Sequence, residues 1–193
     1  ALMVVLGHAN AQAAVGVVPP IVAGVMLVLT GGLLVGDLKQ PKRFYFLLTK
    51  SNFDSWLVKG AYVLGVFAAL SAVWFLLGAA DAGDALKIVA IPTAILGATT
   101  AGYTAFLFGQ CEGRDLWQTP LLLPMLLARA AIAGASAYVI LDIFMDIPSH
   151  RAVWWVLLGG VGAIAFLSWV ELQSCGSRHV EMAIHDMTKG AQK

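Results

Sequence analysis

Five apolar runs constrain this chain more than anything else in it. They cover roughly residues 13–36, 56–79, 87–110, 119–141 and 152–173. A helix that crosses a bilayer needs about 20 mostly apolar residues, and each run reaches that length. None alternates apolar and polar residues over a long stretch, as a membrane barrel strand would. A backbone in hydrocarbon has no water to bond, so each run must satisfy its own peptide groups as a helix. The expected fold class is therefore all-α, a polytopic transmembrane bundle of about five spanning helices. Composition agrees. Hydrophobic residues make up 60% of the chain, charged residues 12%, and the mean hydropathy is +0.83. A water-soluble domain is nearer a quarter charged.

The breaks between runs carry the expected punctuation. Asp37 and Pro41 end the first span. "GAADAGDA" separates the second from the third, "CEGRDLWQTP" the third from the fourth, and "DIFMDIPSHR" the fourth from the fifth. Pro120 falls near the first turn of the fourth span, where a missing N–H costs nothing. Pro19 and Pro20 fall inside the first span. Residues 1–12 read as the tail of a preceding element or an end left by trimming. Residues 13–175 read as the bundle, and 176–193 as an interfacial helix or the approach to a further span.

The charges are not spread evenly. The stretch "GDLKQPKRFYFLLTKSNFDSWLVKG" holds Lys39, Lys42, Arg43, Lys50 and Lys59, and the tail adds Arg178, Lys189 and Lys193. Asp81 and Asp84, and then Asp142 and Asp146, outnumber the nearby bases in the second and fourth connectors. The excess of Lys and Arg inside predicts that the 37–59 connector and the tail face the cytoplasm. Topology alone would explain that basic stretch. The net charge of +1 gives no reason to expect a nucleic-acid partner. Cys111 and Cys175 are too far apart for a disulfide framework or a CxxC metal site.

Certain residues stand out chemically. Ionisable groups inside a membrane are costly, and each is a functional candidate. Asp37 ends the first span, either as a cap or partner of Arg43, or as a proton relay. Tyr103 lies well inside the third span, where its hydroxyl needs a partner. His8, with Asn10 and Gln12, makes a polar cluster beside an apolar run. Arg129 lies in mid-span and must pair or face a water-filled cavity, with Asp37, Glu112 and Glu171 as candidate partners. Glu171 lies near the end of the last span as an interfacial residue or a proton exit. Glu112, Arg114 and Asp115 read as a solvated connector or docking surface. Trp56, Trp117, Trp154, Trp155 and Trp169 lie near span ends, as interfacial anchors do. A membrane haem would call for two axial histidines at depth, and only His8 is a candidate. Iron–sulfur centres would call for cysteine clusters, which the chain lacks.

Several motifs in order resemble those of the NrfD/polysulfide reductase membrane-subunit family. Asp37, Leu38, Pro41, Arg43 and Phe44 are similar to its Asp-Leu-Gly-Arg-Pro-x-Arg-Phe signature, with Lys39 and Gln40 departing from it. Ser55 and Trp56 resemble the Ser-Trp start of its next helix. "YTAFLF" is similar to its Tyr-Thr-Gly-x-Leu-Leu helix, with Ala105 in place of Gly. "LWQTPLLLP" resembles its Phe-Trp-Asn-Thr-Pro-Leu-x-Pro entry to a helix, and Glu171, His179 and Gly190 resemble a later Glu…His…Gly stretch. Family members usually have about eight or more spans, against five here.

The resemblance implies a quinone-reactive anchor of a respiratory oxidoreductase in the bacterial or archaeal cytoplasmic membrane. Its redox carrier would be menaquinone or ubiquinone, bound non-covalently, with no haem and no metal of its own. Its partners would be a ferredoxin-like iron–sulfur subunit, a molybdopterin catalytic subunit beyond it, and membrane lipid. The quinone ligands it implies are Tyr103, Asp37 and His8. The expected proton path uses Asp37, Arg129, Glu171 and Glu112. Two other readings remain open: a transporter whose Pro-broken helices and Arg129 line a path, and a purely structural anchor.

Overall fold

The computed structural model describes Val4 and residues 13–36, 55–110, 119–144 and 150–173. Five helices account for nearly all of them. They are α1 (Ala13–Gly36), α2 (Trp56–Ala79), α3 (Gly83–Gly109), α4 (Leu122–Asp142) and α5 (His150–Gln173). All five are long and apolar enough to cross a membrane. A 24-residue helix rises about 36 Å, which matches the hydrocarbon layer with room for tilt. The protein is thus a multi-pass membrane protein, as the apolar runs predict. His8, Asp37 and Glu112, like the 1–12 tail apart from Val4 and the 176–193 segment, lie outside the described residues.

The first two spans match their expected limits, and the third differs. Expected from residue 87, α3 begins at Gly83, leaving a connector of only Ala80 to Ala82. Local chemistry explains the early start. Asp81 takes a left-handed backbone, φ 52°, which Asp tolerates better than most residues. The N–H of Ala82 then bonds the Leu77 carbonyl at 3.0 Å, and that of Asp81 the Gly78 carbonyl at 3.2 Å. This pair of bonds closes α2 in a Schellman turn. Asp84 lies in the first turn of α3, where the helix dipole favours a carboxylate, and Lys87 reaches it at 3.2 Å. Charges that look like loop in the sequence therefore cap a helix. At α4 the helix starts three residues later than expected. Thr119 takes those positions: its hydroxyl accepts from the Leu121 N–H and its carbonyl from the Leu122 N–H.

The helices run alternately up and down, and each packs most extensively on its neighbours in sequence. Close approaches fix the register. Gly16 of α1 meets the backbone of Gly78 in α2; Gly60 of α2 meets Tyr103 of α3; Gly102 of α3 meets Leu123 of α4; Gly160 of α5 meets Ile132 of α4. In lipid, helices gain little from the hydrophobic effect, so small residues that allow close contact carry much of the association. Some hydroxyls are satisfied locally, although those of Thr100 and Tyr138 are buried without a partner among the described residues. Thr30, Thr93 and Thr99 each donate to the carbonyl four residues back, at 2.7, 2.7 and 2.9 Å.

The two ends of the bundle differ. We name them by charge, the basic end after the 37–59 connector and the acidic end after the Asp81 and Asp142 connectors. The buried cluster joins Val15, Trp74, Leu86, Ala90, Ala135 and Val153, with Val4 added. These residues come from all five helices, and all lie in the acidic half. Outward faces are apolar too: Val28, Leu33 and Ile88 are each about three-quarters exposed, as lipid-facing residues are.

Candidate functional site

At the basic end α2, α3 and α4 line a groove beside Tyr103. Its phenol lies on α3, six residues before the helix ends, opposite Gly60 of α2. Gly60 is required there. A Cβ at that position would lie 2.6 Å from Tyr103 Cδ2 and would overlap Cε2. Tyr103 shares a stripe on α3 with Thr99, Gly102 and Phe106, at helical spacing. Facing it, α2 contributes Trp56, Lys59 and Val63, also at helical spacing. Leu123 and Leu127 of α4 form the third wall. Together these residues, with Ala98, line a groove of about 320 Å³.

The walls are aromatic and apolar. Trp56 stacks on Phe106 with ring centroids 4.5 Å apart and planes 13° from parallel. The Lys59 ammonium sits 4.5 Å from the centroid of the Trp56 ring, a cation–π contact. Phe106 and Leu127 are partly exposed, 45% and 37%, so the groove opens sideways toward acyl chains. The Thr99 hydroxyl spends its proton on the Ile95 carbonyl and keeps only acceptor capacity. The donors on the lining are the Tyr103 hydroxyl, the Lys59 ammonium and the Trp56 indole N–H. Chemically, apolar aromatic walls with a few donors can accommodate a flat ring that carries oxygen acceptors.

Of the six residues expected from sequence, the described structure includes Tyr103, Arg129 and Glu171. Tyr103 is at the groove. Arg129 is exposed on α4 and makes no ion pair among the described residues. Its candidate partner Glu171 is not beside it. Arg129 lies at the level of Gly160, because a Cβ at Gly160 would sit 3.5 Å from the Ala128 carbonyl. Glu171 is eleven residues further along α5, about 16 Å away along the axis. Asp37, His8 and Glu112 lie outside the described residues.

Sequence reasoning missed Lys59, Trp56 and Gly60. Lys59 reads as a topology charge and Trp56 as an interfacial anchor, and each has that position at the start of α2. What places them at a site is their pairing with Thr99, Tyr103 and Phe106 across the α2–α3 contact. The available signal was spacing: Trp56, Lys59 and Val63 repeat at three and four residues, as do Thr99, Tyr103 and Phe106. Trp154, Trp155 and Trp169 are exposed near the ends of α5, as anchors are.

No curated protein and no solved structure matches the chain. The family model described as Polysulphide reductase, NrfD, matches residues 2–166. That stretch spans all of α1 to α4 and most of α5, with the whole groove. The chain therefore belongs to the NrfD family, whose members are membrane subunits of quinone-interacting oxidoreductase complexes.

Proposed function

We propose that the groove between α2, α3 and α4 binds the head of a membrane quinone of the menaquinone or ubiquinone class. The observation that carries this reading is a lateral, aromatic-walled slot of about 320 Å³ that Tyr103 helps to line. Pockets for small ligands begin near this size and use few, well-placed polar groups. The ring would lie beside the Trp56–Phe106 stack and its isoprenoid tail would leave past Leu127. Tyr103 would hold a ring oxygen by donating its hydroxyl proton.

The quinone brings the redox chemistry: its quinol form gives up two electrons and two protons. The electrons would pass to a ferredoxin-like iron–sulfur subunit docked on the membrane, and from there to a molybdopterin subunit, as family membership supports. The protons would leave the ring oxygens through polar side chains. Asp37, His8 and Glu112 remain candidates for that path, with Arg129 and Glu171 acting separately rather than as one ion pair. The bacterial or archaeal inner membrane is the setting this chemistry calls for.

The test is quinol oxidation by the assembled complex. Tyr103→Phe keeps the ring and removes the hydroxyl; turnover should fall about tenfold, the scale of one hydrogen bond lost from the ring oxygen. Leu127→Trp fills the groove and should raise KM with assembly intact. Wild-type turnover by both variants would refute the assignment of this groove.

A further inference from the structure

Resting on that reading, we propose that Lys59 makes the groove selective for an anionic ring oxygen, so that the site binds the ionised form of a hydroxylated quinone in preference to a neutral one. Lys59 is the only cation on the groove lining among the described residues. Among the described residues it makes no ion pair; its nearby electrostatic contact is the face of the Trp56 ring. Its own helix supplies no counter-charge. No acidic residue lies in the first turn of α2, and the free N–H groups of that turn repel a cation.

The exposed Lys59 ammonium has two outlets. It can reach to water, or it can meet negative charge in the groove. The second is open to it because the ammonium rests on Trp56, a residue of the groove wall. A ring oxygen that accepts from the Tyr103 hydroxyl would gain more from Lys59 as its negative charge grows. Loss of a proton from a quinol hydroxyl, taken up by water or a neighbouring base, leaves an oxyanion that the ammonium stabilises without itself giving up a proton. Lys59 then lowers the energy of the deprotonated ligand, while Tyr103 sets its position.

The experiment compares two probes on the membrane-embedded protein by isothermal titration calorimetry. One is a 3-alkyl-2-hydroxy-1,4-naphthoquinone, ionised at neutral pH. The other is its neutral 2-methoxy analogue. Wild type should bind the hydroxy compound about tenfold more tightly, the scale of a partly exposed ion pair strengthened by an apolar wall. Lys59→Met should bring the ratio of the two affinities to about one. Lys59→Arg should keep most of the preference. If Lys59→Met itself loses methoxy binding, Lys59→Gln replaces it and its ratio decides. A charge-free variant that keeps the tenfold preference, or a wild type without one, overturns the proposal. Binding of neither probe by wild type would instead remove the groove as a quinone site. The two failures are therefore distinguishable.

Discussion

The Tyr103 ring occupies the space that a side chain at residue 60 would take. Gly60 is therefore a positioning residue for the phenol, although it need not touch a ligand. Gly60→Ala should force the ring to turn or α2 to shift by a few tenths of an ångström. Misplacement on that scale is costly in catalysis. Turnover should fall at least tenfold while the complex still assembles, and combining Gly60→Ala with Tyr103→Phe should cost little beyond Tyr103→Phe alone. Fully additive losses in that double-variant cycle would show that Gly60 acts elsewhere. Tyr103 was legible in the sequence because a hydroxyl stands out in an apolar run. Gly60 was not, since one glycine among the chain's 20 carries no mark of what it faces.

Helix α2 serves both ends of the bundle. Its first turn forms one wall of the groove through Trp56 and Lys59, and its last turn crosses α1 at Gly78. There the two backbones meet directly: a Cβ on Gly78 would fall 2.7 Å from Gly16 Cα and overlap its carbonyl group. Backbone cannot move aside as a flexible side chain can. Gly78→Ala should cost about 1–3 kcal/mol through overpacking, read as a drop in the thermal unfolding midpoint of the detergent-solubilised protein. Gly65 has open space around it. Gly65→Ala on the same helix should be neutral or slightly stabilising, by the better helix propensity of Ala. Equal midpoints for the two variants would contradict the crossing. The limits of α2 were readable from its length, its Ser55–Trp56 start and the Gly-Ala-Ala-Asp ending. The short turn into α3 was not, because Asp81 and Asp84 resemble solvated loop until their backbone bonds and dipole contacts are known.

Among the described residues, the joined buried cluster lies in the acidic half and the groove in the basic half. Val15, Trp74, Leu86, Ala90, Ala135 and Val153 draw all five helices together in the first, while in the second the groove lies between α2, α3 and α4 beside the buried Val58 and Met125. Leu86 is 1% exposed and Leu127 is 37% exposed. Leu86→Ala should therefore lower stability by about 2–3 kcal/mol, chiefly from the cavity it leaves, and Leu127→Ala by less than about 1 kcal/mol. Thermal unfolding of both variants in the same detergent checks this, and the reverse order would refute the division. The five spans among the described residues, their helical state and the family were determined by the sequence alone. In hydrocarbon each apolar segment must satisfy its own backbone, so the helix is a local consequence of composition. Only the tertiary structure decided which faces meet, that Lys59 and Trp56 join Tyr103, and that Arg129 and Glu171 stay apart. Lipid is as apolar as the bundle interior, so hydrophobic periodicity does not mark the inward face. Helix register then depends on where glycines permit contact and where side chains interlock between segments distant in sequence.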